Sequence, residues 1–392
     1  MNLRQLTKSE GKLLKFVHLA KRLQAEYYPD KLNSALCQEG CQVVFFCTSL
    51  PEDYQKLAKA FHNVPFHLCL PDEMATELNA SSNMHLIKLS ALKNIAAKDK
   101  VLVLIKHEAL SLKFGDYFGK IGLNNILIYA RNKSYARVAR SLLLHMRDIY
   151  AVYGSLDVLS QEYYAATLCG KISGDISKIM FSDEKQYLLE GYSPIQGDIV
   201  IDGGAYDGVT AKAFCDVGGN VYAFEMDGLN YQKGLQLAQE EKFILENMGL
   251  GSKKTRLQYK SGGVGSTVAK DGDCTAQLID IDTYAKEQGI ARIDFIKMDI
   301  EGSELDALRG AAQSIRKYKP RLAICTYHKL QDMWKIPLYI KKLRPDYEFA
   351  FRHHVIDGGQ EYLWNQEEKA LLDAYGLDYM CKTMWESVLY CR

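Results

Sequence analysis

Apolar positions along the chain change their period several times, and each change marks an element. Near the start Leu13, Leu14, Phe16, Val17, Leu19 and Leu23 recur among lysines at a spacing that predicts a helix. From residue 42 short unbroken apolar runs take over: QVVFFC, PFHLCL, MHLIKL, KVLVLIKHE and NNILIYAR. Runs of this length, rich in Val, Ile, Leu and Phe, read as buried strands. Between the first two lies PEDYQKLAKAFHN, a helix with Pro51 near its start and Glu52 and Asp53 in its first turn. The alternation predicts a parallel α/β unit over roughly residues 40–132. CTSLPED follows its first strand without a glycine-rich loop, so a structural or docking domain competes with a cleft for a sugar or nucleotide donor. Residues 134–190 are helical in pattern, and EGYSPIQG, with Gly191, Pro194 and Gly197, breaks that pattern. Three parts are expected: an N-terminal α/β domain (1–133), a helical connector (134–195) and a second α/β domain (196–392).

The second domain carries the candidate chemistry. In DIVIDGGAYDGVTAKAF, Ile199, Val200 and Ile201 form a buried strand that runs into Asp202, and Gly203, Gly204 and Gly208 precede a helix starting near Thr210. A glycine turn lets backbone approach a ligand closely, and the helix start favours a negative group. The glycine spacing departs from the dinucleotide pattern G-x-G-x-x-G. It is closer to the D-x-G-x-G-x-G loop that binds S-adenosylmethionine (SAM), with Tyr206 at the middle glycine; a structural turn or another nucleotide is the competing reading. NVYAFEMD ends a second strand at Glu225, with Met226 beside it, 22 residues after Gly203. A carboxylate at that tip can accept both ribose hydroxyls. KFILENMGLG adds a third strand ending near Glu246, Asn247 and Gly249, where an adenine would rest. Gly262, Gly263 and Gly265, before Ser266 and Thr267, read as a mobile segment over the site, and Asp282 and Thr283 as caps of a following helix. IDFIKMDIEGSELDALRGAAQSI brings Asp299 and Glu301 to the end of another strand. Ser303 is the expected cap, with Asp306 completing a capping box, and the helix dipole accounts for Glu304. Asp299 and Glu301 are costly at a sheet tip unless they bind something. PRLAICTYH ends in Tyr327 and His328, and YEFAFRHH and WESVLYCR read as a closing antiparallel pair.

Composition acts by exclusion. Of 392 residues 47% are hydrophobic and 25% charged, and Lys+Arg (49) against Asp+Glu (48) gives a net charge of +1. That mix is globular, with no footprint for nucleic acid or a polybasic membrane patch. The longest apolar runs, such as VLVLI at Val101–Ile105, fall far short of the ~18 residues of a membrane span. The N-terminus lacks the apolar region of a signal peptide, and a cytoplasmic location is expected. Ten cysteines occur without a C-x-x-C, several inside strand-like runs where a free thiol packs as a small hydrophobe. Cys37 and Cys41 with His62 and His67 do not match zinc-site order and spacing.

DIVIDGGAYDG, the strand ending in FE, IDFIKMDIEGSELDALRGA, KPRLAICTYH and the closing strands resemble the FkbM family of SAM-dependent methyltransferases over roughly residues 145–392, with KMDIEG the most specific part. The resemblance implies a class I, Rossmann-like doubly wound sheet of seven strands, the last antiparallel. It also implies methyl transfer to a hydroxyl, often on a sugar, polysaccharide or macrolide. On this resemblance Asp202, Gly203, Gly204, Ala205, Tyr206 and Gly208 frame SAM, Glu225 holds its ribose with Met226 and Asn247 nearby, and Asp299 and Glu301 fill the D-x-E-G motif. The first 130 residues have no clear counterpart. Nor do the 30 residues between His354 and Trp385, an insert at about 355–384. There NQEEKALLDAYG predicts a helix capped by Asn365 and stopped by Gly376, a lid or the contact of a homo-oligomer. The expected reaction is in-line displacement, where alignment is worth up to ~7–11 kcal/mol and a base a further ~10²–10⁴-fold. His328, with an ordinary pKa of about 6.5, is the first candidate base and Asp299 the second. Mg2+ on Asp299 and Glu301 is the alternative. The acceptor is a small molecule or a glycan. The rivals are a non-catalytic scaffold that keeps the fold and a NAD-dependent sugar enzyme.

Overall fold

The computed structural model describes residues 19, 35–49, 59, 61, 63–73, 75, 84–106, 109–129, 134–260, 267–268, 272, 274–355, 364–379 and 382–392. Most of the two helices expected before residue 64, and the glycines at 262, 263 and 265, lie outside them. The chain forms two compact units: 1–146, 162–181 and 355–384 make one, and 147–161, 182–354 and 385–392 the other.

The first unit is built on β1 (Gln42–Phe46), β2 (Phe66–Leu70), β3 (Met84–Lys88), β4 (Val101–Lys106) and β5 (Asn125–Tyr129). All pair in parallel, in the order β3-β2-β1-β4-β5. Central β1 and β4 are buried almost throughout, which is why their sequences run apolar without alternation. The insert contributes the helix Gln366–Ala374, with Asn365 and Glu368 forming a reciprocal capping box and Gly376 at φ +62° just past its end. Trp364, Leu372, Leu377 and Met384 belong to the same buried cluster as β1, β2 and β4.

The second unit holds β6 (Ile199–Gly203), β7 (Asn220–Phe224), β8 (Ile244–Glu246), β9 (Gly249–Leu250), β10 (Thr255–Lys260), β11 (Thr267–Val268), β12 (Cys274–Ile279), β13 (Phe295–Met298), β14 (Arg321–Cys325), β15 (Phe349–His353) and β16 (Ser387–Cys391). Seven of them form one sheet in the order β15-β16-β14-β13-β6-β7-β8, and β16 runs antiparallel to both its neighbours. That is the expected doubly wound sheet with one reversed strand. Strands β9 to β12 make a separate four-stranded sheet. Tyr187, Leu189 and Tyr192, expected in a connector, lie in the core of this unit beside Val200, Phe295 and Tyr390. The strand sequence reverses between β6 and β13. In such sheets the crevice outside the carboxyl ends of those strands receives the ligand.

Candidate active site

The turn after β6 is shaped by close approach. Gly204 has φ +78°, and a Cβ there would sit 1.8 Å from the Asp299 carbonyl oxygen, so only glycine fits. The amides of Gly204 and Ala205 both donate to the Phe224 carbonyl, at 2.9 and 3.0 Å, which ties the turn to the end of β7. They are therefore committed to protein rather than to a ligand. Tyr206, at φ +52°, donates its amide to Glu225 Oε2 at 2.9 Å, and Asp227 donates its amide to Oε1 at 2.7 Å. Glycine turn and acidic strand tip are thus one hydrogen-bonded unit. Burial raises the Glu225 carboxyl above its ordinary range, and the two amides oppose that rise. Asn247 donates to the Glu225 carbonyl at 3.0 Å, bringing the end of the third strand to the same edge. Met226 lies in this edge too, its Cβ 3.4 Å from where a Cβ on Gly249 would stand. Gly208, at φ +88°, starts the helix Val209–Asp216.

Asp202 takes a different place from the one expected. Register sets it opposite Lys297, both side chains are sealed from solvent, and Lys297 Nζ lies 3.0 Å from Asp202 Oδ1. Lys297 also donates to the carbonyls of Gly203 (3.2 Å) and Gly204 (2.7 Å). Asp202 is thus the buried counterion of a lysine that pins the glycine turn from beneath, not a group facing a ligand.

Beyond the reversal point, at the ends of β13, β14 and β16, a polar cluster gathers. Asp299 accepts the Tyr187 hydroxyl on Oδ2 at 2.8 Å and the Tyr327 hydroxyl on Oδ1 at 2.9 Å. Burial opposes its ionisation, but the Lys297 ammonium, then His328, then the two phenols hold it below the ordinary carboxylate range. His328 sits among three carboxylates: Nδ1 is 2.8 Å from Glu304 Oε1, and Nε2 is 3.4 Å from Asp299 Oδ1 and 3.6 Å from Glu301 Oε2. Burial alone would lower its pKa; Glu304, Asp299 and Glu301 reverse that and push it up to about 9. At neutral pH the ring is therefore an imidazolium, and the premise of an ordinary, half-neutral histidine does not hold.

Glu304, set aside on sequence grounds, belongs to this cluster. Ser303 makes no side-chain cap and Asp306 pairs with Arg309 instead. The buried Glu304 carboxylate accepts the amides of Ile300 (2.9 Å) and Gly302 (3.3 Å) and meets His328. Asp280, not Asp282, caps the helix Ile281–Glu287, while Asp282 accepts the amides of Gln313 and Ser314. Three further members escaped the sequence reading. Gln186 donates Nε2–H to Glu386 Oε2 at 2.8 Å and to the Tyr187 hydroxyl at 3.1 Å. Tyr187, Tyr206, Glu301 and Glu386 make up four of the seven non-glycine residues with positive φ among the described residues. Such backbone costs about 1–3 kcal/mol each and collects at functional sites.

Asp299, Glu304 and His328 can each bring one atom within 4.8 Å of the others. In this arrangement the Asp299 oxygens accept two phenols and Glu304 accepts two amides, so these donors are shared with protein partners.

Residues 202–353 match the family model of the methyltransferase FkbM domain. Over those residues the chain is similar to a methyltransferase FkbM domain. A solved structure of a methyltransferase FkbM from Methylobacillus flagellatus KT matches at TM-score 0.62 and 19% identity, over 97% of this chain and 99% of that one. That likeness shows a shared fold. A putative rRNA-methylase from Clostridium thermocellum (TM-score 0.31, 9% identity, 54% of this chain, 96% of that one) and Aeropyrum pernix fibrillarin with bound S-adenosyl-L-methionine (0.28, 12%, 53% and 72%) are too distant to add to it. No curated protein matches the chain. Within the matched residues lie the glycine turn, Glu225 and the Asp299–His328 cluster, whereas Gln186, Tyr187 and Glu386 flank them in sequence. No helix among the described residues is long and apolar enough to cross a membrane.

Proposed function

We propose that the protein is a SAM-dependent O-methyltransferase acting on a hydroxyl of a sugar, a glycan or a comparable small metabolite. One observation carries this reading: the glycine turn after β6 and the acidic tip of β7 are joined through the Tyr206 amide and Glu225 Oε2. Each Glu225 oxygen accepts one amide and keeps lone pairs for a ribose hydroxyl, which is the fit an adenosyl group needs. Glu225 would hold the ribose and Asn247 and Met226 the base side, with the turn at Tyr206 facing the chain that leads to the sulfonium. When bound, SAM supplies an electrophilic methyl group. The protein then has to align an acceptor oxygen, exclude water and receive one proton, and the Asp299 cluster stands on the side away from Glu225 where that oxygen would lie. A dinucleotide fits less well, because the glycine spacing is wrong for it. Nothing in the charge balance favours a nucleic-acid acceptor.

A thermal-shift comparison tests the cofactor directly. SAM at about 100 times its dissociation constant stabilises a one-site protein by about 2.7 kcal/mol. The expected result is stabilisation by SAM and none by NAD. Stabilisation by NAD, or by neither, overturns the proposal.

A further inference from the structure

An acceptor hydroxyl must lose its proton, and two candidates for receiving it are compromised. His328 already carries a proton at neutral pH. Asp299 accepts a phenol on each oxygen and is held in its ionised form, which makes it a weak base.

Glu386 is placed differently. It stands immediately before β16, the reversed strand, so it lies at the same rim as the carboxyl ends of β13 and β14. Its backbone is held at φ +78°, an expensive conformation for a glutamate. One side-chain oxygen is fixed by the Gln186 amide at 2.8 Å, and among the described residues the other accepts no hydrogen bond. The same amide reaches the Tyr187 hydroxyl, which donates to Asp299, so Glu386, Gln186, Tyr187 and Asp299 form one continuous chain. Tyr187 is itself at φ +65°. The strand order puts Glu225 on the β7 side of the reversal and Glu386 on the β14–β16 side. A cofactor anchored at Glu225 would therefore present its reactive end toward Glu386.

Resting on the SAM reading above, we infer that Glu386 is the catalytic base, with Gln186 and Tyr187 as the positioning residues that hold it. As the acceptor oxygen forms its bond to the methyl carbon, the carbon–sulfur pair leaves with sulfur as the neutral thioether of S-adenosylhomocysteine (SAH). The hydroxyl proton goes to the free oxygen of Glu386. The groups facing this carboxyl are Asp299, Glu301, His328, Tyr187, Tyr327 and Cys325. Burial, then the Asp299 charge, push its pKa up to about 7, against the Gln186 hydrogen bond and the His328 cation. A base near the working pH suits proton transfer.

Binding of two SAM analogues to the full chain tests this without knowing the acceptor. SAH lacks the transferable methyl, and sinefungin carries a protonated amine at the corresponding position, which an ionised base would attract. The expected result is that Glu386→Gln weakens sinefungin by about tenfold or more while leaving SAH affinity unchanged, as loss of a charge-assisted hydrogen bond requires. The wild-type preference for sinefungin should also fall when the pH drops below about 7, and this dependence should vanish in the variant. Equal weakening of both ligands, or of neither, overturns the role of Glu386 and leaves the SAM site standing. Failure of the wild-type chain to bind SAH overturns the SAM reading itself. Should Glu386→Gln not fold, Gln186→Met keeps the carboxyl and removes its holder. It is expected to weaken sinefungin selectively, and unchanged selectivity there counts against the proposal.

Discussion

Replacing His328 with asparagine removes a cation that three carboxylates hold, and its consequences follow from the geometry. The ring lies 2.8 Å from fully buried Glu304, and its pKa rises from 6.5 to about 9. At 1.36 kcal/mol per tenfold change in proton affinity, the difference is worth about 3 kcal/mol. The folded state binds this proton more tightly than the unfolded chain. The stabilisation is therefore complete below pH 6.5, declines as the pH rises, and is gone above about 9. The wild-type advantage over His328→Asn should shrink by up to about 3 kcal/mol between pH 6.5 and 9. Two units need not unfold together, so the direct assay is nuclear magnetic resonance of the nine histidine imidazoles. One resonance, missing in His328→Asn, should titrate near pH 9, and thermal melts of the two proteins should converge over the same range. An imidazole at 328 that titrates near 6.5, or a melting difference independent of pH, would refute the reasoning and restore His328 as a candidate base.

Glu225→Ala should weaken SAH binding by at least about tenfold in calorimetry, since charge-assisted hydrogen bonds contribute about 1.5–3 kcal/mol; unchanged affinity would remove Glu225 from the site. Lys297→Met leaves the sealed Asp202 carboxylate without its counterion and should cost about 3–5 kcal/mol in thermal or chemical denaturation. Adding Asp202→Asn should recover part of that loss, and full additivity of the two changes would argue against the pairing. Gly204→Ala should abolish a stable fold, because its Cβ would meet the Asp299 carbonyl at 1.8 Å, whereas Gly289→Ala, at φ +65° with open space around it, should cost only about 1–2 kcal/mol in melts.

Periodicity disclosed most of the architecture. Unbroken apolar runs announced the parallel strands of both large sheets because strands covered on two faces have no reason to alternate. The cap at Asn365 and the reversed strand at Ser387–Cys391 were legible for similarly local reasons. The site was legible only in part. Glycine spacing and the FE tip marked one half correctly as neighbours, yet nothing local reveals that Asp202 faces Lys297, since that pairing is a matter of register between strands 95 residues apart. Glu304 looked like a helix-dipole residue because its local role and its partner His328 compete for the same explanation. Gln186 and Glu386 carry no motif at all. They meet across 200 residues, and only the insertion of β16 between β14 and β15 brings them together. Positive φ at Tyr187 and Glu386 is the signal that finds them, and it exists only in the folded chain.

A crystal structure of the full chain with SAH would show whether the glycine turn and Glu225 grip one nucleoside. Ribose hydroxyls are expected on Glu225 beside Tyr206, and the thioether sulfur above the β6–β13 reversal on the side of Asp299 and Glu386. Nucleoside density anywhere else, or a crevice at that reversal filled by side chains from its own walls, would contradict that placement.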